Sequence, residues 1–216
     1  MEAVGFMWVI RFILLGIILA IDGLGILLLR YRNRFERLAE STLFNCLLLI
    51  AYYPLVLLLF LLPPESGWAS RPAWLQHISV RIGFPAFSLA LFIAGSFLGL
   101  ATIRQRKVIG AQDTAEGLLT TGMYTYFRHP IWTGMLWIML ALPLLTRNPD
   151  GLLVFPFYFL LLWAETILEE KIDMRRRFPE EYERYGETTN MFGPWWVWGL
   201  IALFLALIAG VGKVMS

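Results

Sequence analysis

Apolar residues run almost unbroken over 6–29, 43–62, 82–103, 131–146, 151–168 and 195–214. A helix needs about 20 such residues to cross the hydrocarbon of a bilayer, and the fourth and fifth runs are short by that measure. Between these two lies only Thr146-Arg147-Asn148-Pro149-Asp150-Gly151, in which Asn-Pro and Asp-Gly are strong turn formers. The pattern predicts a tight helical hairpin over 131–168, each arm barely long enough to cross. Pro143 and Pro156 kink the arms, which a membrane tolerates where neighbours re-satisfy the freed carbonyls. Long polar stretches occur only at roughly 104–130 and 169–194. The expected architecture is an all-α polytopic membrane bundle of about six transmembrane helices. It divides into N-terminal helices over 1–110, a core over 111–194 containing the hairpin, and a last helix over 195–216. There is no internal repeat, low-complexity tract or soluble domain.

Composition narrows the class further. Of 216 residues, 58% are hydrophobic and 16% charged, against roughly 45–50% and 25% in soluble domains. Mean hydropathy is +0.65. A soluble chain this short buries only about 70% of its unfolded surface. It cannot hide that much apolar area, which excludes a soluble single-domain enzyme, a disordered chain and a disulfide scaffold. The single cysteine, Cys46, excludes an intramolecular disulfide and a cysteine-based zinc site. A net charge of +2 provides no field to recruit nucleic acid. No metal partner is expected.

The charges that remain orient the bundle. Arg30, Arg32, Arg34 and Arg37 follow the first run; Arg104, Arg106, Lys107 and Arg128 follow the third; Lys171, Arg175, Arg176, Arg177 and Arg184 follow the fifth. The opposite loops hold Arg71, Arg81 and Arg147, with Lys213 near the C-terminus. Basic loops stay inside, so six spans with both termini outside fit every loop. The expected location is the inner (cytoplasmic) membrane. The first run carries Asp22 and no small-residue cleavage site after it, as expected of a retained helix rather than a secretory signal. Arg11 is expected to snorkel to the outer surface, and Asp22 to cap or orient a neighbouring helix rather than to bind substrate. His77, with Trp68 and Trp74, reads as an outer interfacial loop. The two histidines, His77 and His129, fall on opposite sides, which excludes a bis-histidine haem.

The hairpin brings two polar stretches together. Antiparallel helices joined near Asn148-Pro149 place His129 level with about Ile167–Leu168, given the helical rise of about 1.5 Å per residue. Tyr124, Tyr126, Arg128, His129 and Trp132 are thereby set beside Glu165, Glu169 and Glu170. Glu165 and Glu169 share a face, while Glu170 is rotated from Glu169 by about 100°. Taken singly, each residue has a plain explanation. The acids can pair with Arg128 or Arg175–Arg177 at a solvated helix end. His129 can open a helix with Pro130 at its first position, and the aromatics can form an interfacial belt. The convergence of all of them is what resembles a site.

These residues also carry a family pattern. Gly117-Leu118-Leu119-Thr120-Thr121-Gly122-Met123-Tyr124, followed by Phe127-Arg128-His129-Pro130-Ile131-Trp132-Thr133-Gly134, resembles the isoprenylcysteine carboxyl methyltransferase family and its phospholipid methyltransferase relatives. The resemblance continues through Asn148-Pro149, Glu169-Glu170 and Phe178-Pro179-Glu180-Glu181-Tyr182-Glu183-Arg184-Tyr185, covering roughly Thr114 to Pro194. Membrane sterol reductases carry a related Arg-His-Pro block, usually with Asn after the proline, where this chain has Ile131. The paired glutamates beyond the hairpin favour methyltransferase. Two departures stand out: Trp132 occupies the motif's tyrosine, and Thr166 stands where isoprenylcysteine enzymes carry an arginine suited to a carboxylate substrate.

The resemblance implies an integral-membrane methyltransferase using S-adenosyl-L-methionine on a lipophilic acceptor (a lipid amine, thiol or carboxylate), with membrane lipids as surroundings and source of substrate. By the same resemblance, Leu119, Gly122, Tyr124, His129, Trp132 and Glu169 bind the cofactor. Glu169 with the aromatic faces suits the sulfonium; His129 and Arg128 suit the donor's carboxylate or ribose. Glu170 and Arg128 are the catalytic candidates, Glu170 as base or orienter. An NADPH-dependent membrane reductase of the sterol-reductase type and a non-catalytic membrane subunit are the alternatives.

Overall fold

The computed structural model describes residues 6–62, 78–107 and 117–214. The 68–77 loop with His77, Trp68 and Trp74 lies outside the described residues. All six apolar runs are helical: α1 (Phe6–Arg30), α3 (Thr42–Leu61), α4 (Ile78–Arg106), α5 (Pro130–Leu145), α6 (Pro149–Glu169) and α9 (Trp195–Val214). Short helices connect them: α2 (Glu36–Ala39) after α1, then α7 (Arg175–Arg177) and α8 (Pro179–Thr188) after α6. No strand occurs among the described residues. The all-α bundle read from the sequence is the observed fold.

Helix starts follow local chemistry. Ser41 caps α3 by accepting from the Phe44 amide at 3.2 Å. Pro130 and Pro149 open α5 and α6 at the first helical position, where a missing N–H costs nothing. Asn148 caps α6 through the Gly151 amide. Its amide nitrogen also donates to the Leu62 carbonyl at 2.8 Å, tying the hairpin turn to the end of α3. Pro143 and Pro156 sit inside α5 and α6 without ending them.

Four helices are long and apolar enough to cross a membrane: Phe6–Arg30, Thr42–Leu61, Val80–Arg106 and a continuous stretch over Asp150–Arg177. α5 is a shorter apolar helix of 16 residues, and α9 is apolar over at least Trp195–Gly210. The 16 residues of α5 rise only about 24 Å, less than the roughly 30 Å of hydrocarbon. By length and composition, four of the roughly six expected spans are supported among the described residues.

α5 is the centre of the bundle. It packs most extensively on α4, and its other faces meet α3 and α6. One cluster joins α1, α3, α5 and α6 through Ile18, Val56, Leu136 and Leu162. A second joins α4, α5 and α9 through Leu91, Leu140 and Ile201. A helix buried on every side must be apolar all round, as α5 is. Outward faces of α1, α3, α4 and α6 expose Phe12, Ile50, Phe97 and Phe157, as lipid contact requires.

The end of the bundle nearest the hairpin turn corrects one expectation. Arg11 does not reach a surface; it is completely buried. Its guanidinium donates to the Leu62 carbonyl at 3.0 Å and lies 3.7 Å from the Asp150 carboxylate. The reason is local. Asp150 in the first turn of α6 supplies a counter-charge, and the last turn of α3 offers carbonyls that have no helical partner.

Candidate functional site

At the opposite, basic end, the chain from Thr121 to His129 is held by three clamps. The Gln105 side chain of α4 donates to the Thr121 carbonyl at 2.7 Å and accepts from the Met123 amide at 3.2 Å. This fixes a 3-10 turn over Gly122–Thr125. Gly122 has φ +62°, and a Cβ there would lie 2.5 Å from the Gln105 Oε1, so a side chain would dislodge the clamp. Next, the Arg128 and His129 amides donate to the Asn190 and Met191 carbonyls, both at 3.0 Å. From α8, the Tyr185 hydroxyl donates to the Tyr124 carbonyl at 2.5 Å. Burial pushes the Tyr185 phenol well up from its ordinary value, so it remains a neutral donor.

His129 stands at the start of α5, yet its side chain caps nothing. The imidazole lies between two carboxylates. Nε2 is 3.1 Å from Glu170 Oε1, and Nδ1 is 3.6 Å from Glu169 Oε2. Arg128 Nε lies 3.6 Å from the same Glu170 oxygen, and its Nε–H is buried without a hydrogen bond. Glu170 itself is 4% exposed. Tyr182 faces it from α8; burial, then the Glu170 charge, drive that phenol up.

These groups form one end of a cavity of about 270 Å³. Of the residues expected to form a site, Leu119, Tyr124, Arg128, His129, Trp132 and Glu169 line it. Gly122 and Glu170 do not: Gly122 shapes the turn, and Glu170 stands one layer behind His129 and Arg128. The division of Glu165 and Glu169 from Glu170 matches the 100° rotation of adjacent residues on a helix. It is sharpened where the α-helix gives way to a π-turn over Glu170–Met174. Such turns concentrate at functional sites, and nothing in the residue pattern announces this one. Asp173 in the same turn is buried and pairs with Arg177 at 3.2 Å.

Three further groups lie in the cavity, of which only Tyr52 has no place in the sequence pattern. Asp22 of α1, expected to cap or orient a helix, lines the cavity instead, as do Glu165 of α6 and Tyr52 of α3. The Tyr52 hydroxyl is 3.3 Å from that of Tyr158, and its ring meets Trp132 edge-on at 6.4 Å. A lone acid in an apolar run gives no hint of which neighbour it faces, which is why Asp22 was illegible. Thr166 is fully buried, donating to the Trp163 carbonyl and facing the Met191 sulfur at 3.1 Å, away from the cavity. Its difference from the isoprenylcysteine pattern therefore does not bear on the cavity wall directly.

Fold and site together define a membrane-helix protein whose polar, carboxylate- and aromatic-lined cavity continues between helices into an apolar interior. Comparison with known proteins agrees with the motifs. Residues 85–181 match the model of the phospholipid methyltransferase family, a span that begins inside α4, earlier than the motifs themselves. Two curated relatives, each named "Probable protein-S-isoprenylcysteine O-methyltransferase", come from Oryza sativa subsp. indica and Oryza sativa subsp. japonica. Each is 24% identical over 135 residues, covering 55% of this chain and 70% of the relative. No solved structure matches significantly. The resemblance read from the motifs is borne out over residues 85–181, which are similar to the phospholipid methyltransferase family.

Proposed function

We propose that the protein transfers a methyl group from S-adenosyl-L-methionine to a lipophilic acceptor, at the cytoplasmic face of the inner membrane. The observation that carries this reading is one cavity lined both by the Tyr124–Trp132 segment and Glu169 and by apolar residues of α1 and α3, among them Ile21, Leu48 and Leu49. The residues present suit the donor. Glu169 offers a carboxylate, and Tyr124 and Trp132 offer ring faces, both of which attract a sulfonium. Leu118 and Leu119 give an apolar wall for a planar base. Arg128, whose side chain lines the cavity, suits the donor's carboxylate.

When bound, the donor supplies an activated methyl group, so no covalent protein nucleophile is required and the protein's work is positioning and electrostatics. Glu169 neutralises charge at the cavity wall. His129 and Arg128 orient the donor, and Glu170 fixes both of them from behind, which makes it a positioning residue in this reading. The helix ends around the site carry Arg30, Arg104, Arg106 and Arg175–Arg177. Basic helix ends favour the cytoplasmic side. The acceptor reaches the cavity sideways from the lipid, between α1 and α3.

Thermal melting of the purified protein tests this reading against a nicotinamide-dependent reductase. S-adenosylhomocysteine is expected to raise the melting temperature, since a ligand at 100 times its Kd stabilises by about 2.7 kcal/mol; NADPH is expected to leave it unchanged. A shift with NADPH alone would reverse the assignment. A shift with neither would favour a non-catalytic subunit.

A further inference from the structure

The inner end of the cavity holds two carboxyl groups that donor binding, as read above, does not use. Asp22 reaches it from α1 and Glu165 from α6. Asp22 is only 7% exposed. Its Oδ2 and the Oε2 of Glu165 are both shut off from solvent, and neither makes a hydrogen bond to the described residues. Glu169, one helical turn further along α6, lines the same cavity and is a third acid. The Tyr52 hydroxyl, 3.3 Å from that of Tyr158, belongs to the same cavity wall. Around them the cavity wall is apolar: Ile21, Leu48 and Leu49.

Buried carboxylate oxygens without donors are costly, and intramembrane acids that face a cavity are functional by default. A ligand that satisfies this arrangement brings several N–H donors and a positive charge to one point, followed by an apolar body. A primary ammonium has three donors. A carboxylate would meet repulsion from both acids, and a hydroxyl or thiol carries one donor and no charge. Depth narrows the class further. Asp22 lies eight residues inside Arg30, the end of α1, or about 12 Å at 1.5 Å per residue. A phosphate-bearing head group belongs at the interface, not at that depth.

We propose that Asp22 and Glu165 form the acceptor subsite, and that it takes a long-chain amine carrying no phosphate. The proposal rests on the methyltransferase reading and deepens it by naming the acceptor's class. The two carboxylates hold the ammonium group, and one of them takes its proton. An N–H bond breaks, a carboxyl O–H forms, and the electron pair of the broken bond stays on nitrogen. That lone pair is what methylation of an amine consumes. Asp22 lies outside the 85–181 segment that matches the family, so this specificity is contributed by the part of the chain that its motifs do not cover.

The test is thermal melting of the full chain in nanodiscs of phosphatidylcholine, a lipid that carries no primary amine. Tetradecylamine is expected to raise the melting temperature, whereas tetradecanol and tetradecanoate are expected not to. Asp22→Asn should abolish the amine response while keeping the response to S-adenosylhomocysteine, which separates failure of this proposal from failure of the donor reading. If Asp22→Asn does not fold, the comparison of the three ligands on the natural chain and the Glu165→Gln variant decide. An alcohol or acid response as large as the amine's, or an amine response that survives both variants, would overturn the proposal. So would a response to phosphatidylethanolamine equal to that of tetradecylamine.

Discussion

Replacing Glu170 by alanine is expected to lower stability by about 3–5 kcal/mol, the usual cost of removing one partner from a buried ion pair, and to abolish binding of S-adenosylhomocysteine. The carboxylate is almost fully enclosed and faces Arg128 Nε at 3.6 Å and His129 Nε2 at 3.1 Å. Without it a guanidinium is left buried in a wall already short of acceptors, and the imidazole loses the contact that sets its plane. Both lie in the segment that lines the cavity, so the damage extends from the fold to the ligand. Glu170→Gln keeps an acceptor for His129 and should retain most of the stability. A melting curve together with a ligand titration checks both variants. A loss below about 1 kcal/mol in the alanine variant would show that Glu170 is not the anchor of this cluster.

The second large effect is expected at the contact of α4 with α5. Gly95 and Gly134 bring the two backbones together: a Cβ on Gly95 would fall 2.5 Å from the Gly134 carbonyl oxygen, and one on Gly134 would fall 2.6 Å from that of Gly95. Small residues at such crossings let membrane helices approach closely, and packing rather than the hydrophobic effect holds them there. Backbone cannot rotate out of the way, so Gly134→Leu must pry the helices apart. Overpacking ordinarily costs about 1–3 kcal/mol; here the most extensive helix pair of the bundle is opened, and no folded protein is expected after purification. The milder Gly134→Ala should fold with a reduced melting temperature and weakened ligand binding, because Gln105 at the end of α4 and His129 at the start of α5 hold the same segment in register. A fully stable Gly134→Leu protein would show that the helices do not meet as described.

Much of this arrangement was legible in the sequence because it follows from length and period alone. The six apolar runs became six helices with ends within a few residues of those expected. The short turn at Thr146–Asn148 forced His129 beside the end of α6, and the contacts with Glu169 and Glu170 are the result. Burial adds to the apolar pattern of α5, which is enclosed by α3, α4 and α6 and so is apolar all round. The remaining misreadings have a common cause. Arg11 and Asp22 sit on one helix, and their partners come from α3, α6 and the cavity between them, so no local pattern encodes their environment. The π-turn at Glu170–Met174 likewise leaves no periodic trace, although it decides which glutamate faces the cavity.

The central claim is that the cavity beside His129 and Glu169 binds a sulfonium methyl donor, and calorimetric titration with S-adenosylhomocysteine tests it most directly. The natural chain is expected to bind at a single site, and His129→Ala, which leaves the carboxylates in place but removes the group between them, is expected to bind at least about tenfold more weakly, a loss of about 1.4 kcal/mol. Absence of binding by the folded natural chain, or an unaltered affinity in His129→Ala, would contradict the account.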